Sequence, residues 1–472
     1  MKSLISSELS VINAGLERFA EPLAARRKPV ARCRWQPPAA GDAALGWKLA
    51  RLVGHPKIEA ANKIAYERYL ASTPLLAGVE TAGAVIPAMQ GRKLLLHSGP
   101  PISWAEMCGP QKGAVAGAAM LERWADSPEA AARMAENGEI ELDACNHHNA
   151  VGPMAGVISP SMPLWVVRDA VNGARTFCNF NEGLGKVLRF GAGGPEVLER
   201  LRWMGEHLAP VLQKTLAATG PMELKPLMAQ ALHMGDEVHN RNAAATSLLF
   251  RKLAPAALAG NVADEKELAA AFGFIAGNDH FFLNISMAAC KLMLNAAAGV
   301  PGSSMLTVMA RNGVNFGIQL AAFPGRWFQA RANYIEGLFF PGFSQADAAR
   351  DLGDSAITET CGLGGFAMAA APAIVQFVGG STDDALRNTL AMKAITLGAN
   401  SAFTLPMLNF GGAPAGIDAR LVVDTGILPI INTGIAHKEA GVGQIGAGLT
   451  TAPLPCFTAA VEALYEEVGN AQ

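Results

Sequence analysis

Charge is scarce in this chain of 472 residues: Asp, Glu, Lys and Arg make up 17%, and the net charge is -2. No long run of like charges occurs, and basic residues are not interleaved with aromatics. A phosphate-tracking surface for nucleic acid is therefore excluded. Cysteine is sparse too. The seven (Cys33, Cys108, Cys145, Cys178, Cys290, Cys361, Cys456) are odd in number, widely spread and never paired as CxxC. That argues against a disulfide framework and a zinc ribbon, and for reduced thiols. No apolar run reaches the ~20 residues of a membrane span; Gly364 to Val378 is broken by Gly and Pro. The opening stretch MKSLISSELSVINAGLERF reads as an amphipathic start without the apolar core of a signal peptide. A cytoplasmic protein with no membrane and no nucleic-acid partner is expected.

What is present is apolar and glycine-rich: 50% of residues are hydrophobic and 50 are Gly, as in closely packed α/β enzymes with many tight loops. The length exceeds what one core usually serves, so two or three domains are expected. The fold class read from the pattern is α/β (complex α+β), with two α/β parts flanking a mostly helical domain. The boundaries are 1–194, 195–300 and 301–472, with strand signals fading between Pro195 and Ala298. A strand beginning near Val30 is ended by Trp35-Gln36-Pro37-Pro38. Helical spacing puts Ile58, Ala61, Ile64, Ala65 and Tyr69 on one side. Leu94-Leu95-Leu96 and Ile140 to Cys145 read as strands emptying into polar loops, and Gly113 to Ala135 as an Ala-rich helix. Asn172-Gly173 and Asn312-Gly313 are hairpin signals. Ala459 to Val468 reads as an amphipathic helix.

Polar residues gather in five loops. Cys145-Asn146-His147-His148-Asn149 holds two adjacent imidazoles that point different ways, so they do not share one metal. His148 is either a hydrogen-bonded structural group or an acid/base or carbonyl-polarising one. Gly235 to Asn242, read as helix, sets Asp236, His239 and Asn240 on one face, with Asn242 three residues from His239. Its flanks are apolar, which favours a buried functional face over a solvated one. Asn181-Glu182-Gly183-Leu184-Gly185-Lys186, with Arg189 beyond, lacks the GxxxxGK[ST] spacing of a Walker loop. Its N–H groups and cations suit an anion as readily as a plain turn. Asp354 to Thr360 carries Glu359 ahead of Gly362-Leu363-Gly364-Gly365 and an Ala-rich helix. Asn432, Thr433, His437, Lys438, Glu439 and Gln444 sit among glycines from Gly434 to Gly448, the strongest site signal.

Several of these blocks resemble those of a known family. His97-Ser98-Gly99-Pro100-Pro101, Asn149 to Met154, Gly235-Asp236-Glu237 with His239 and Arg241-Asn242, Gly353 to Thr360 and Ile431 to Gly448 resemble the signature blocks of the YlbE/YahG family, the oxamate carbamoyltransferase component family. The likeness runs from about Lys93 to Leu464, and Val11 to Pro38 resembles a region of FdrA-type proteins. The resemblance implies a complex α/β fold with a helical domain. It also implies interconversion of oxalurate plus phosphate with oxamate plus carbamoyl phosphate in allantoin breakdown, with FdrA-like and YlbF-like partner subunits. The Ser-Thr-Arg-Thr-type motif of aspartate and ornithine carbamoyltransferases is missing.

Such a transfer needs cations for phosphate, a donor for the carbamoyl oxygen and a group that moves a proton. Lys186, Arg241 and Arg311 are candidates for the anion, His148 or His437 for the carbonyl, and Asp236, His239 or Glu359 for the proton. Asn149, Asn181, Asn242, Asn432, Thr433, Lys438, Glu439 and Gln444 complete the expected substrate contacts. The loops around His148, Asp236 to Asn242, Glu359 and His437 are expected to share one cleft. No cofactor or metal is expected, and a homo-oligomer is. Two other classes stay open: a metal-dependent amidohydrolase opening a cyclic ureide, and a non-catalytic subunit of an FdrA-type complex.

Overall fold

The computed structural model describes residues 11–33 and 37–469. The first ten residues of the amphipathic start, and Trp35 and Gln36 of the expected strand stop, lie outside the described residues. The short strands Val11–Ala14 and Val30–Cys33 pair in parallel.

Asn172-Gly173 turns the chain as its sequence predicts. Pro163–Asp169 and Arg175–Asn179 pair antiparallel, Leu164 opposite Asn179 and Arg168 opposite Arg175. They lie in a five-stranded sheet ordered Ala150–Val151, Arg175–Asn179, Pro163–Asp169, Pro74–Thr81, Met222–Glu223. Alternation along the central strand feeds two cores. Trp165 and Val167 enter the largest core beside Phe281 and Phe180, while Leu164 and Val166 join Leu94, Leu96 and Ile158. Leu94–His97 and Glu141–Ala144 form a parallel pair whose carboxyl ends open into the loops starting at Ser98 and Cys145.

The helix Leu283–Ala297 covers this sheet and also meets the helix Pro56–Ala71 and the strand Leu306–Asn312. Thirteen of its fifteen residues are buried, Asn284, Ser286 and Lys291 among them. A helix apolar nearly all round has to sit inside a protein. The stretch before it is helical from Pro195 on, with only the two-residue strand Met222–Glu223.

Asn312-Gly313 closes the second predicted hairpin, Leu306–Asn312 against Asn315–Leu320, within a four-stranded sheet. Ile430–Ala436 and Gln444–Thr451 form a third antiparallel pair, with Glu336–Phe339 at its edge. The helix Leu454–Gly469 closes a second core through Phe457, Val461 and Leu464.

Four local expectations are corrected. The helix expected over Gly113 to Ala135 is two helices, Gly109–Leu121 and Pro128–Glu136, because Ser127 caps a new start ahead of Pro128. Ile64 is 45% exposed instead of sharing the buried face of Ile58, Ala61, Ala65 and Tyr69. The Ala-rich segment after Gly364 is a chain of 3-10 turns, Gly364–Phe366, Met368–Ala370 and Pro372–Ile374. Asp236 to Asn242 is a loop between the helices Leu224–His233 and Ala243–Ala259. The buried Glu237 carboxylate closes that loop by accepting from the backbone N–H of His239, Asn240 and Arg241. Burial pushes Glu237 up to about 7.

Candidate functional site

Val238, at the centre of this loop, has φ +64, a strained conformation for a β-branched residue. The turn it makes delivers His239 to the fully buried Glu359, Nδ1 lying 2.7 Å from Oε1. Glu359 is fixed by donors on every side. Oε1 also accepts from the backbone N–H of Gly365 and Asn432, and Oε2 from the Thr358 hydroxyl. Gly364 (φ +53) permits this geometry, since a Cβ there would collide with the Glu359 carboxylate and crowd the His239 Cβ. Nδ1 being engaged, Nε2 is the imidazole nitrogen left for a ligand.

His239 lines a recess of about 20 Å³, room for one water or the head of a larger molecule, together with Arg189, Asn240, His280, Ser355 and Thr433. The recess shares Leu184, Asn240, His280 and Gln444 with a cleft of about 950 Å³, so it opens from the cleft wall. Arg241, Asn242 and Asp279 line the cleft. Arg189 gives one guanidinium hydrogen bond to the Gly183 carbonyl, and its buried Nε has no partner among the described residues. Burial lowers its pKa to about 10, against the pull of Glu182. Burial, Arg189 and His239 together push His280 down to about 4, so it is neutral near pH 7.

Other buried polar atoms here are likewise unpaired: Asn240 Nδ2, Asn242 Oδ1, and both amide atoms of Asn432. Buried polar groups are normally satisfied. Five unpaired atoms thus gather around one histidine–carboxylate pair, which makes this the candidate site.

Of the residues singled out in the sequence, His239, Glu359, Arg241, Asn242, Asn432, Thr433 and Gln444 come together here. The others lie elsewhere or are engaged in holding the fold. His148 does not line the recess or the cleft; its Nε2 lies 2.8 Å from Asp143, which also holds His147. Asn149 is exposed and accepts from Asn295. Asp236 caps Ala245 at the start of a helix. Asn181 is tied to Asn284, Asn278 and the Gly183 N–H. Arg311 is fully buried and spends its donors on Asp351, the Gly353 carbonyl, Ser355 and Thr433. Lys186 is exposed, and Lys438 bonds the Ala346 carbonyl. His437 sits against Phe343 and accepts from the exposed Glu439 N–H.

The sequence does not single out His280 or Ser355 as ligands. Asn278-Asp279-His280, ahead of an apolar helix, was the available signal for the first. Among the described residues, no group of three or more His, Cys, Asp or Glu is placed to hold a metal ion, and no helix is long and apolar enough to cross a membrane.

The fold and the recess define an α/β protein with a buried polar recess opening from a cleft. Comparison with known proteins gives the family. Residues 140–355 match the family model described as oxamate carbamoyltransferase subunit AllG. The chain is 43% identical over 471 residues to a protein of Escherichia coli (strain K12) named "Uncharacterized protein YahG", covering 99% of both. It is 48% identical over 414 residues to the oxamate carbamoyltransferase subunit AllG of the same organism, covering 87% of this chain and 98% of that one. A crystal structure of a conserved protein of unknown function from Enterococcus faecalis V583 superposes with a TM-score of 0.85 at 44% identity, again over 87% and 98%. The chain belongs to the YahG/AllG family, related to an oxamate carbamoyltransferase subunit.

Proposed function

We propose that this chain carries the carbamoyl-transfer site of an oxamate carbamoyltransferase, with the recess at its centre. The supporting observation is the set of unpaired buried polar atoms around His239–Glu359. In the phosphorolytic direction, a phosphate oxygen attacks the ureido carbon of oxalurate. The bond from that carbon to the oxamate nitrogen breaks, and the nitrogen takes a proton.

Arg189 binds the oxalurate carboxylate through its free Nε edge, a charge-assisted contact in a desolvated site. Asn240 Nδ2 donates to the carbamoyl oxygen as negative charge develops there. His239 delivers the proton from Nε2 while Glu359 stabilises the imidazolium at Nδ1. Arg241, on the cleft wall, serves the incoming phosphate.

The exposed Leu338, Phe340 and Phe377 at the cleft mouth favour a partner subunit closing over it. FdrA-like and YlbF-like chains are the proposed partners. The test is release of carbamoyl phosphate from oxalurate and inorganic phosphate, with this chain alone and with those partners. Phosphate-dependent release that His239→Ala removes is expected. No release in either setting, or hydrolysis that ignores phosphate and needs a divalent ion, sinks the proposal.

A further inference from the structure

A second cavity, of about 300 Å³, shares no lining residue with the recess or the cleft and takes no part in the transfer described above. Three departures from regular geometry shape it. The helix from Pro195 to Thr219 widens into a π turn at Met204–Leu208, and Met204, Gly205 and Glu206 of that turn line the cavity. Arg123, also lining it, has φ +58, an uncommon conformation for an arginine. The preceding residue, Glu122, clamps Ser159 and Ser161, and Ser161 forms part of the wall. Irregular turns of these kinds concentrate at binding sites.

Leu121, Met162, Phe180, Leu188, Leu201 and Met204 supply its apolar wall, and Asn179 and Ser161 its uncharged polar one. At the exposed mouth are Arg123 and Arg202, and neither guanidinium has a hydrogen bond or ion pair among the described residues; one carboxylate, Glu206, accompanies them. At the back stands Glu182. Its oxygens accept from the backbone N–H of Leu188 and Arg189, and the Arg189 side chain lines the recess.

We infer that this cavity is a second binding site, for a small organic anion with an apolar body, whose occupancy is transmitted to Arg189 through Glu182. The carboxylate of the ligand sits between Arg123 and Arg202, and its body fills the space between Phe180 and Met204. The volume lies at the small end of ligand sites, which suits a short-chain monocarboxylate.

Hexanoate is the probe, titrated calorimetrically into the whole chain, with hexan-1-ol as the uncharged control. One hexanoate per chain is expected, with the alcohol at least tenfold weaker. Arg202→Glu, a change on the exposed rim, should weaken hexanoate at least tenfold. Gly205→Leu should abolish binding by filling the cavity; no atom lies within 4 Å of the Cβ it would add, and an unchanged melting temperature checks its fold. Hydrogen exchange at the Leu188 and Arg189 amides should slow in the wild type with hexanoate and stay unchanged in Arg202→Glu. No hexanoate binding, or equal binding in Arg202→Glu, overturns the site. Binding that leaves those two amides unaffected overturns the link to Arg189. Neither readout depends on carbamoyl transfer.

Discussion

Two histidine–carboxylate pairs of nearly equal length occupy different surroundings. His239 and Glu359, at 2.7 Å, are 4% and 0% exposed, whereas His148 and Asp143, at 2.8 Å, are 16% and 34% exposed. The inner carboxylate belongs to one histidine and is otherwise held by backbone and hydroxyl donors. The outer one is shared with His147, whose Nε2 accepts from the Trp327 indole. Asp143 is thus a clamp tying the end of a strand to a neighbouring loop. The sequence offers His148 and His239 alike as candidates. Burial and the unpaired atoms nearby separate them.

The largest expected effect is on turnover. His239→Ala should lower the rate of carbamoyl transfer about 100- to 10,000-fold, and Glu359→Gln should follow it, while His148→Ala should cost less than about tenfold. Steady-state rates of the three variants decide the matter, and a reversed order would move the site to the outer pair.

Arg189→Ala comes next. Loss of a desolvated cation should weaken oxalurate by ~2–5 kcal/mol, read as a raised KM or a calorimetric Kd. Lys186→Ala, on the exposed side of the same loop, should change it by less than ~1 kcal/mol. Equal effects from the two would remove the distinction between wall and surface.

Gly364→Ala sharpens the inner side of the comparison. The new Cβ meets the Glu359 carboxylate, and the positive φ adds about 1–2 kcal/mol of strain. Both activity and melting temperature should fall. If only the melting temperature falls, the seating of Glu359 does not govern the chemistry.

The smallest effect belongs to the outer pair and appears in pH dependence. Burial of Asp143 opposes its ionisation, but hydrogen bonds from His147 and His148 hold its carboxyl well below the usual range. A depressed carboxylate contributes stability above its unfolded pKa of about 3.9 and loses it as pH falls toward the folded value. The melting temperature of Asp143→Asn should therefore lie below wild type near pH 6, with the gap narrowing progressively as pH falls below about 4. A gap that persists in acid would mean that packing, and not charge, makes the clamp.

Much of the fold was legible because its signals are local. Asn172-Gly173 and Asn312-Gly313 made the hairpins they announced, and the spacing of Ile58, Ala61, Ala65 and Tyr69 gave a buried helix face. The site was legible only in part. His239, Glu359, Thr433 and Gln444 stood out as polar residues in apolar or glycine-rich settings. Their grouping depends on the Glu237 closure of the loop after Gly235, a side-chain-to-backbone device that leaves no periodicity to read. Arg311 stood out as a cation like Arg189, yet only the partners around each show that one is spent on the fold and the other keeps an unpartnered Nε.

The helix Leu283–Ala297 also bears on how the chain is made. Its sheet strands, Pro163–Asp169 and Arg175–Asn179, are synthesised roughly a hundred residues earlier, on the order of 5–20 s at ~5–20 residues per second. During that interval the face carrying Trp165 and Val167 has no cover from this helix. Nascent chains stalled before residue 283 should therefore recruit a holdase chaperone that the completed polypeptide releases.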